Sequence, residues 1–316
     1  MCCELGWIKR GKLSKLGVGM STGYQMDQTF AVWRILVGAV IIVAIYGLGL
    51  FGVGFFLNGM AGIDLTQSSQ ITLILFLASF IPIWLGTGAV TRVLFGFSIP
   101  HLYGRSGKIR WSDFRVAFAY IFVIVLLVEL LVFATTWVMG TPPYTRNGAI
   151  STMDWLFYLL PLVVLVFLQI GAEELFFRGY LLRLIYSRKA RLFWAVYVPS
   201  FLFGLAHLDP ITYGFNSVLY VLNTTVTGMI LCFITLWRGN IAMAMGIHFA
   251  VNIFAILIIG QGDTPIGSGA ALWLSTIAPK SATLGLSMIL ITLVEIVLYS
   301  IWARRRYGAL IPSESR

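Results

Sequence analysis

A chain of 316 residues that is 59% hydrophobic and only 11% charged stands apart from soluble domains, in which about 25% of residues are charged. This composition excludes a soluble globular protein and predicts an all-α, polytopic membrane protein placed in the cell membrane, if the source is prokaryotic. The net charge of +10 would suggest nucleic acid in a soluble chain; here it marks topology, and no nucleic-acid partner is expected.

The first 28 residues are polar and basic, without an apolar core or cleavage site, so no removable signal peptide is expected. Cys2, Cys3 and Cys232 make no disulfide framework, and two terminal cysteines carry only a faint signal of acylation. A crossing needs roughly 20 apolar residues. Eight stretches qualify, at about Phe30 to Leu57, Ile71 to Leu94, Val116 to Met139, Trp155 into the glutamates at 173–174, Leu192 to Ala206, Asn216 to Trp237, Ile241 to Gly260 and Thr283 to Ala303. The fifth is short and contains Pro199. "SGKIRWSDFRVAF", before the third, has a faint amphipathic pattern that would suit the membrane interface.

The charges agree with eight spans. Lys9, Arg10, Lys12 and Lys15 precede the first; Arg92, Arg105, Lys108, Arg110 and Arg115 lie between the second and third; Arg183, Arg188, Lys189 and Arg191 follow the fourth. Arg238 follows the sixth, and Arg304, Arg305 and Arg306 follow the eighth. The intervening connections hold Asp64, Arg146, Asp209 and Lys280 and are poor in basic residues. Basic residues cluster on the cytoplasmic side of membrane helices, so both termini are expected to be cytoplasmic. One integral domain spans 1–316, with N-terminal helices over 28–140, a motif-bearing core over 155–260 and a C-terminal helix over 283–303.

Ionisable groups inside spans are costly and are functional candidates by default. Two of the three histidines, His207 and His248, lie within or at the ends of apolar spans, and "GAEELFFRGY" places Glu173, Glu174 and Arg178 in another. Glu174 and Arg178 are i,i+4 and share a face, so they can pair. Glu173 lies about 100° round the helix and is free to face a polar cavity. His248 and Asn252 are also i,i+4, as are Phe203 and His207. Glu173 lies 15–18 residues before the Arg188–Arg191 run and His207 16–19 after it, so a turn there brings both to one height. The level of His248 agrees if these two helices protrude some two turns into the cytoplasm. One cluster of Glu173, His207, His248 and Asn252 is therefore expected in the cytoplasmic half of the bilayer.

A carboxylate and an imidazole facing one water can make it a nucleophile, and a second imidazole with an amide can donate to a developing oxyanion. That set suits hydrolysis of an amide or ester. Alternatively, Glu173, His207 and His248 could ligate zinc with water in the fourth position, although no H-E-x-x-H helix is present. The sequence leaves both open.

These motifs, "EELFFR" (173–178), "FGLAH" (203–207) and "HFAVN" (248–252), resemble the CAAX prenyl endopeptidase and bacteriocin-processing family, also called abortive-infection proteins. The resemblance covers about 155–260, and the eight-helix count also fits. It implies an intramembrane endopeptidase, glutamate-dependent or metal-dependent, with its site open to the cytoplasm. By that resemblance Glu173 and His207 would activate water, His248 and Asn252 would support the oxyanion, and Glu174 and Arg178 would be structural or assisting. Membrane lipids and a membrane-associated or lipidated protein or peptide would be its partners. Two rival readings are a non-enzymatic scaffold or immunity-type binding protein, and a proton-coupled transporter. Outside the motifs, Glu129 and Glu295 are expected as buried acids and Arg34 as a snorkelling cation or a partner to one of them. Asn223, Thr224 and Thr225 are expected as interhelical contacts, and Asp209 as a turn residue.

Overall fold

The computed structural model describes residues 24, 26, 28–61, 69–138, 140–188, 192–262, 264 and 269–312. Cys2, Cys3, Lys9, Arg10, Lys12, Lys15, Asp64, Lys189 and Arg191, and with them the signal-peptide and acylation readings, lie outside the described residues.

The helices follow the apolar runs. They are α1 (Val32–Ala61), α2 (Gln70–Ala78), α3 (Ile81–Val90), α4 (Pro100–Tyr103), α5 (Trp111–Val138), α6 (Thr152–Glu174) and α7 (Arg183–Ser187). After these come α8 (Leu192–Leu205), α9 (Pro210–Tyr213), α10 (Asn216–Arg238), α11 (Ala242–Ile253) and α12 (Ala282–Tyr307). Ser69, Ser151 and Ser281 start α2, α6 and α12, each side chain accepting a backbone N–H three residues on, as N-caps do. Gly239 and Gly308 end α10 and α12 in the left-handed region, directly after Arg238 and the Arg304–Arg306 triplet. Those cations sit where the helix macrodipole is negative.

Among the described residues, six helices are long and apolar enough to cross a membrane: Val32–Gly52, Gln70–Phe95, Trp111–Ala134, Thr152–Ser187, Asn216–Arg238 and Ala282–Tyr307. The protein is a multi-pass membrane protein. Two of the eight expected spans are shorter, Leu192–Leu205 and Ala242–Ile258. The second expected span is broken at Ser79–Phe80, just before Pro82, which has no N–H for the ladder. The third begins at Trp111, so the end of the suspected interfacial piece is the first turn of α5.

Helices are the expectation, yet the connections also build a small sheet of order β1-β3-β2, from Tyr144–Arg146, Trp273–Ser275 and Ile259–Gln261. β1 runs antiparallel to β3, with Tyr144 opposite Ser275; β2 runs parallel to it, with Ile259 opposite Trp273. Backbone N–H and C=O groups must be paired where water is scarce, and a three-strand patch does this for connections that cannot be helical.

The run Thr152–Ser187 is 36 residues of continuous helix. At about 1.5 Å per residue it is about 54 Å long, well beyond the ~30 Å hydrocarbon core. Its middle, Leu175–Leu182, is wound as a π-helix and is wholly buried. Two apolar clusters surround it: one holds Leu162, Val166, Ile170, Met245 and Phe249, the other Ile35, Ile42, Leu102, Tyr180 and Phe203. α11 packs between α5 and α6, and α10 between α8 and α12. α5 and α12 leave most of their side chains outward, on the lipid side. At one end, Asp113 on α5 holds Arg238 on α10 by two hydrogen bonds of 2.7 and 3.2 Å.

Small residues set the closest approaches. A methyl group on Gly246 of α11 would lie 2.4 Å from the Phe114 carbonyl of α5, and one on Gly204 of α8 would lie 2.7 Å from the Val221 carbonyl of α10. Neither neighbour is a movable side-chain end. Gly246→Ala is expected to force α11 off α5 and cost about 1–3 kcal/mol, as overpacking does, read as a lower melting temperature of purified protein in detergent.

Candidate active site

The π-wound segment begins directly after the glutamate pair. Single π turns open the i→i+4 ladder and recur at functional sites. Here the opened backbone is used: the Arg178 carbonyl accepts a hydrogen bond from the buried Tyr24 hydroxyl, and the Arg183 guanidinium lies over the Tyr24 ring at 5.0 Å.

Glu174 and Arg178 form the pair expected from their spacing, at 2.8 Å, with both side chains fully buried. Arg178 also donates to the Gly228 carbonyl of α10 and lies over the Phe203 ring at 4.5 Å. The pair is not closed on itself. The same Glu174 oxygen that receives Arg178 also receives His248 Nδ1 at 2.9 Å. Glu174 is therefore the shared acceptor of a cation and an imidazole, and its role is to hold His248 in place as much as to neutralise Arg178.

Donation through Nδ1 turns His248 Nε2 the other way, and it meets Glu173 Oε2 at 3.4 Å. One imidazole thus bridges two adjacent carboxylates on different sides of one helix. Glu173 Oε2 is buried and accepts no hydrogen bond among the described residues. A buried polar atom without a partner is rare and calls for an explanation, such as a catalytic role or an ordered water.

His207, just past the end of α8, is half-buried. Its Nδ1 donates to the Phe203 carbonyl at 2.8 Å, which leaves Nε2 as the lone-pair nitrogen. The Phe203 ring lies against both imidazoles, with centroids 4.8 Å from His207 and 5.7 Å from His248. Tyr220 of α10 meets the other face of this group, 5.5 Å from the His207 ring, and its hydroxyl lies within electrostatic reach of Glu173. Asn252, one turn beyond His248, donates from its amide to Gln169 Oε1 at 3.0 Å.

Gln169, Tyr220 and Tyr24 were not expected at this site. Gln169 had a readable signal: it is i,i+4 before Glu173 in an otherwise apolar run. Tyr220 and Tyr24 had none, since tyrosine is ordinary near membrane interfaces. Among the described residues no three His, Cys, Asp or Glu side chains group closely enough to hold a metal ion.

The remaining polar residues stand outside this cluster. Glu295 accepts from Asn223 at 3.3 Å and Thr227 at 3.0 Å, tying α10 to α12. Thr224 and Thr225 instead bond back to carbonyls of their own helix. Glu129 accepts from the Tyr144 hydroxyl. Arg34 pairs with neither acid; its guanidinium lies over the Trp33 ring at 5.5 Å. Asp209 caps α9 by accepting from Thr212 N at 3.0 Å, the turn role expected of it.

The fold and this cluster define a multi-pass membrane protein with a buried glutamate–histidine centre. Residues 155–254 match the family described as type II CAAX prenyl endopeptidase Rce1-like, so the chain carries a domain of that protease family over this part of its length. The matched segment contains Glu173, Glu174, Arg178, His207, His248 and Asn252. The chain is also 25% identical over 256 residues to a Bacillus subtilis (strain 168) protein named "Uncharacterized protein YyaK", covering 78% of this chain and 84% of that one. No solved structure matches it.

Removing one partner of a buried ion pair strands the other, at a cost of about 3–5 kcal/mol. Arg178→Met should therefore destabilise the protein by that amount in thermal unfolding. The double variant Glu174→Gln with Arg178→Met should recover much of the loss, because it leaves no unpaired charge.

Proposed function

We propose that this protein is an intramembrane endopeptidase that cleaves a peptide bond of a lipidated or membrane-associated protein or peptide near the cytoplasmic face. The observation that carries the reading is the Glu173 oxygen, buried, accepting no hydrogen bond among the described residues and 3.4 Å from an imidazole nitrogen. The match of residues 155–254 to a CAAX endopeptidase family supports it.

In this mechanism a water donates one O–H to Glu173 Oε2 and the other to His207 Nε2. Glu173 takes the proton as the water oxygen attacks the scissile carbonyl carbon. The carbonyl electron pair moves to its oxygen and gives a tetrahedral oxyanion. Glu173 then passes the proton to the amide nitrogen as the C–N bond breaks, releasing a carboxylic acid and an amine. Glu174, charge-balanced by Arg178, orients His248 through Nδ1, and Gln169 orients Asn252; these two side chains wall the oxyanion side. The apolar shell of Phe177, Phe203 and Phe249 keeps the local dielectric low, which strengthens each of these interactions.

Glu173→Gln keeps the shape and removes the base. It should reduce cleavage by at least about 10²-fold, the lower range for loss of a general base, with an unchanged melting temperature. Mass spectrometry of membrane-protein termini in cells carrying wild-type or Glu173→Gln protein checks this: uncleaved termini should accumulate with the variant. Equal termini in both would refute the base assignment and leave a helix-holding role for the cluster.

The reading also includes eight passes with both termini cytoplasmic, the two shorter helices completing the count. Single cysteines at Ser106 and at Thr276, both exposed, should react with a membrane-impermeant maleimide from opposite sides of the membrane. Labelling of both from one side would require another topology.

A further inference from the structure

The mechanism above needs a hydrogen-bond donor for the oxyanion, and the motif residues are largely engaged. His248 faces a carboxylate with each nitrogen. Asn252 has one amide hydrogen on Gln169. Arg178 gives its two terminal nitrogens to Glu174 and the Gly228 carbonyl, and its buried Nε–H is left without a partner among the described residues. His207 has its only N–H, in the neutral form, on the Phe203 carbonyl.

Two tyrosine hydroxyls lie within electrostatic reach of Glu173, those of Tyr46 and Tyr220. They differ in what else they touch. The Tyr46 hydroxyl lies beside the Ser79 hydroxyl, which donates to the Phe76 carbonyl. Tyr220 has its ring clamped between His207, at 5.5 Å, and Tyr213, at 5.4 Å. Among the described residues its hydroxyl has no hydrogen-bond partner, so it is an uncommitted donor on a ring packed against His207 and within electrostatic reach of Glu173.

We propose that Tyr220 is a further catalytic residue, whose phenolic O–H donates to the oxyanion of the tetrahedral intermediate, while its ring fixes the plane of His207. The position is favourable for physical reasons. A phenol is a stronger donor than an amide and stays protonated at neutral pH, since its ordinary pKa is about 10. It sits on α10, a different helix from Glu173 (α6) and just across the short α9 connection from His207, so it can face the carbonyl oxygen while the other two face the water. No covalent bond to Tyr220 forms; its proton is shared with the oxyanion and kept as the intermediate collapses.

This inference rests on the endopeptidase reading, and the experiment separates the two. Full-length protein in nanodiscs is assayed with an internally quenched farnesylated peptide ending in Cys-aliphatic-aliphatic-X, and termini of cellular membrane proteins are profiled in parallel. Wild type, Glu173→Gln, Tyr220→Phe and Tyr46→Phe are compared. Tyr220→Phe keeps the ring against His207 and removes only the O–H. Its kcat should fall by about 10²-fold, the effect of losing one oxyanion donor, with KM and melting temperature close to wild type. Tyr46→Phe, which removes the hydroxyl beside Ser79, should stay within about threefold of wild type.

Near-normal kcat in Tyr220→Phe, with Glu173→Gln inactive, would overturn the Tyr220 role alone. A matching loss in Tyr46→Phe, or a loss that tracks a lowered melting temperature, would reduce Tyr220 to a packing residue. Wild-type activity in Glu173→Gln, or no cleavage of the peptide or of any terminus by wild type, would overturn the endopeptidase reading and the Tyr220 role with it.

Discussion

A fully buried carboxylate controls this structure. Glu174 is fully buried, and an isolated ion in such a place would cost several kcal/mol even after relaxation. Arg178 and His248 together make it tolerable, and each comes with demands of its own. Arg178 must lie one turn along the same helix, with a carbonyl at Gly228 and an aromatic face at Phe203 to take its remaining surface. His248 must arrive from α11 with Nδ1 inward. Satisfying this one charge therefore fixes three other helices, α8, α10 and α11, around the middle of the longest one.

The same constraint explains the division of labour between the two glutamates. Adjacent residues on a helix cannot face the same way. Once Glu174 is committed to Arg178 and His248 Nδ1, Glu173 lies about 100° round the helix and meets the other nitrogen of the same imidazole. Its oxygen lies 3.4 Å from His248 Nε2 and, like the second oxygen of Glu174, accepts no hydrogen bond among the described residues.

The surrounding architecture packs closely about this centre. Glycines bring α8 to α10 and α11 to α5 closely enough for backbone contact, a packing mode that membrane helices rely on because lipid supplies no hydrophobic drive between them. Phe114, Phe118, Phe167 and Phe249 pack in a continuous aromatic group beside the cluster. The π-wound turn after the glutamates shifts Arg178 and frees its carbonyl for Tyr24, tying the segment that precedes α1 to the same centre.

Apolar runs longer than a bilayer crossing, and the alternation of basic connections, made a multi-pass helical protein legible without coordinates, because in lipid a helix must satisfy its own backbone. The i,i+4 spacings of Glu174 with Arg178, and of His248 with Asn252, were equally legible, since helix geometry fixes which side chains share a face. Gln169 could have been read by the same rule. What the order of residues could not specify is which partner each polar atom takes across helices. That His248 would bridge both carboxylates, that Asn252 would be held by Gln169, that Tyr24 and Tyr220 would close in from distant segments, and that two connections would pair as a sheet all follow from the directions in which helices tilt and cross. Those directions are decided by close packing at small residues and by the need to leave no buried charge alone, and they exist only once the whole chain is assembled.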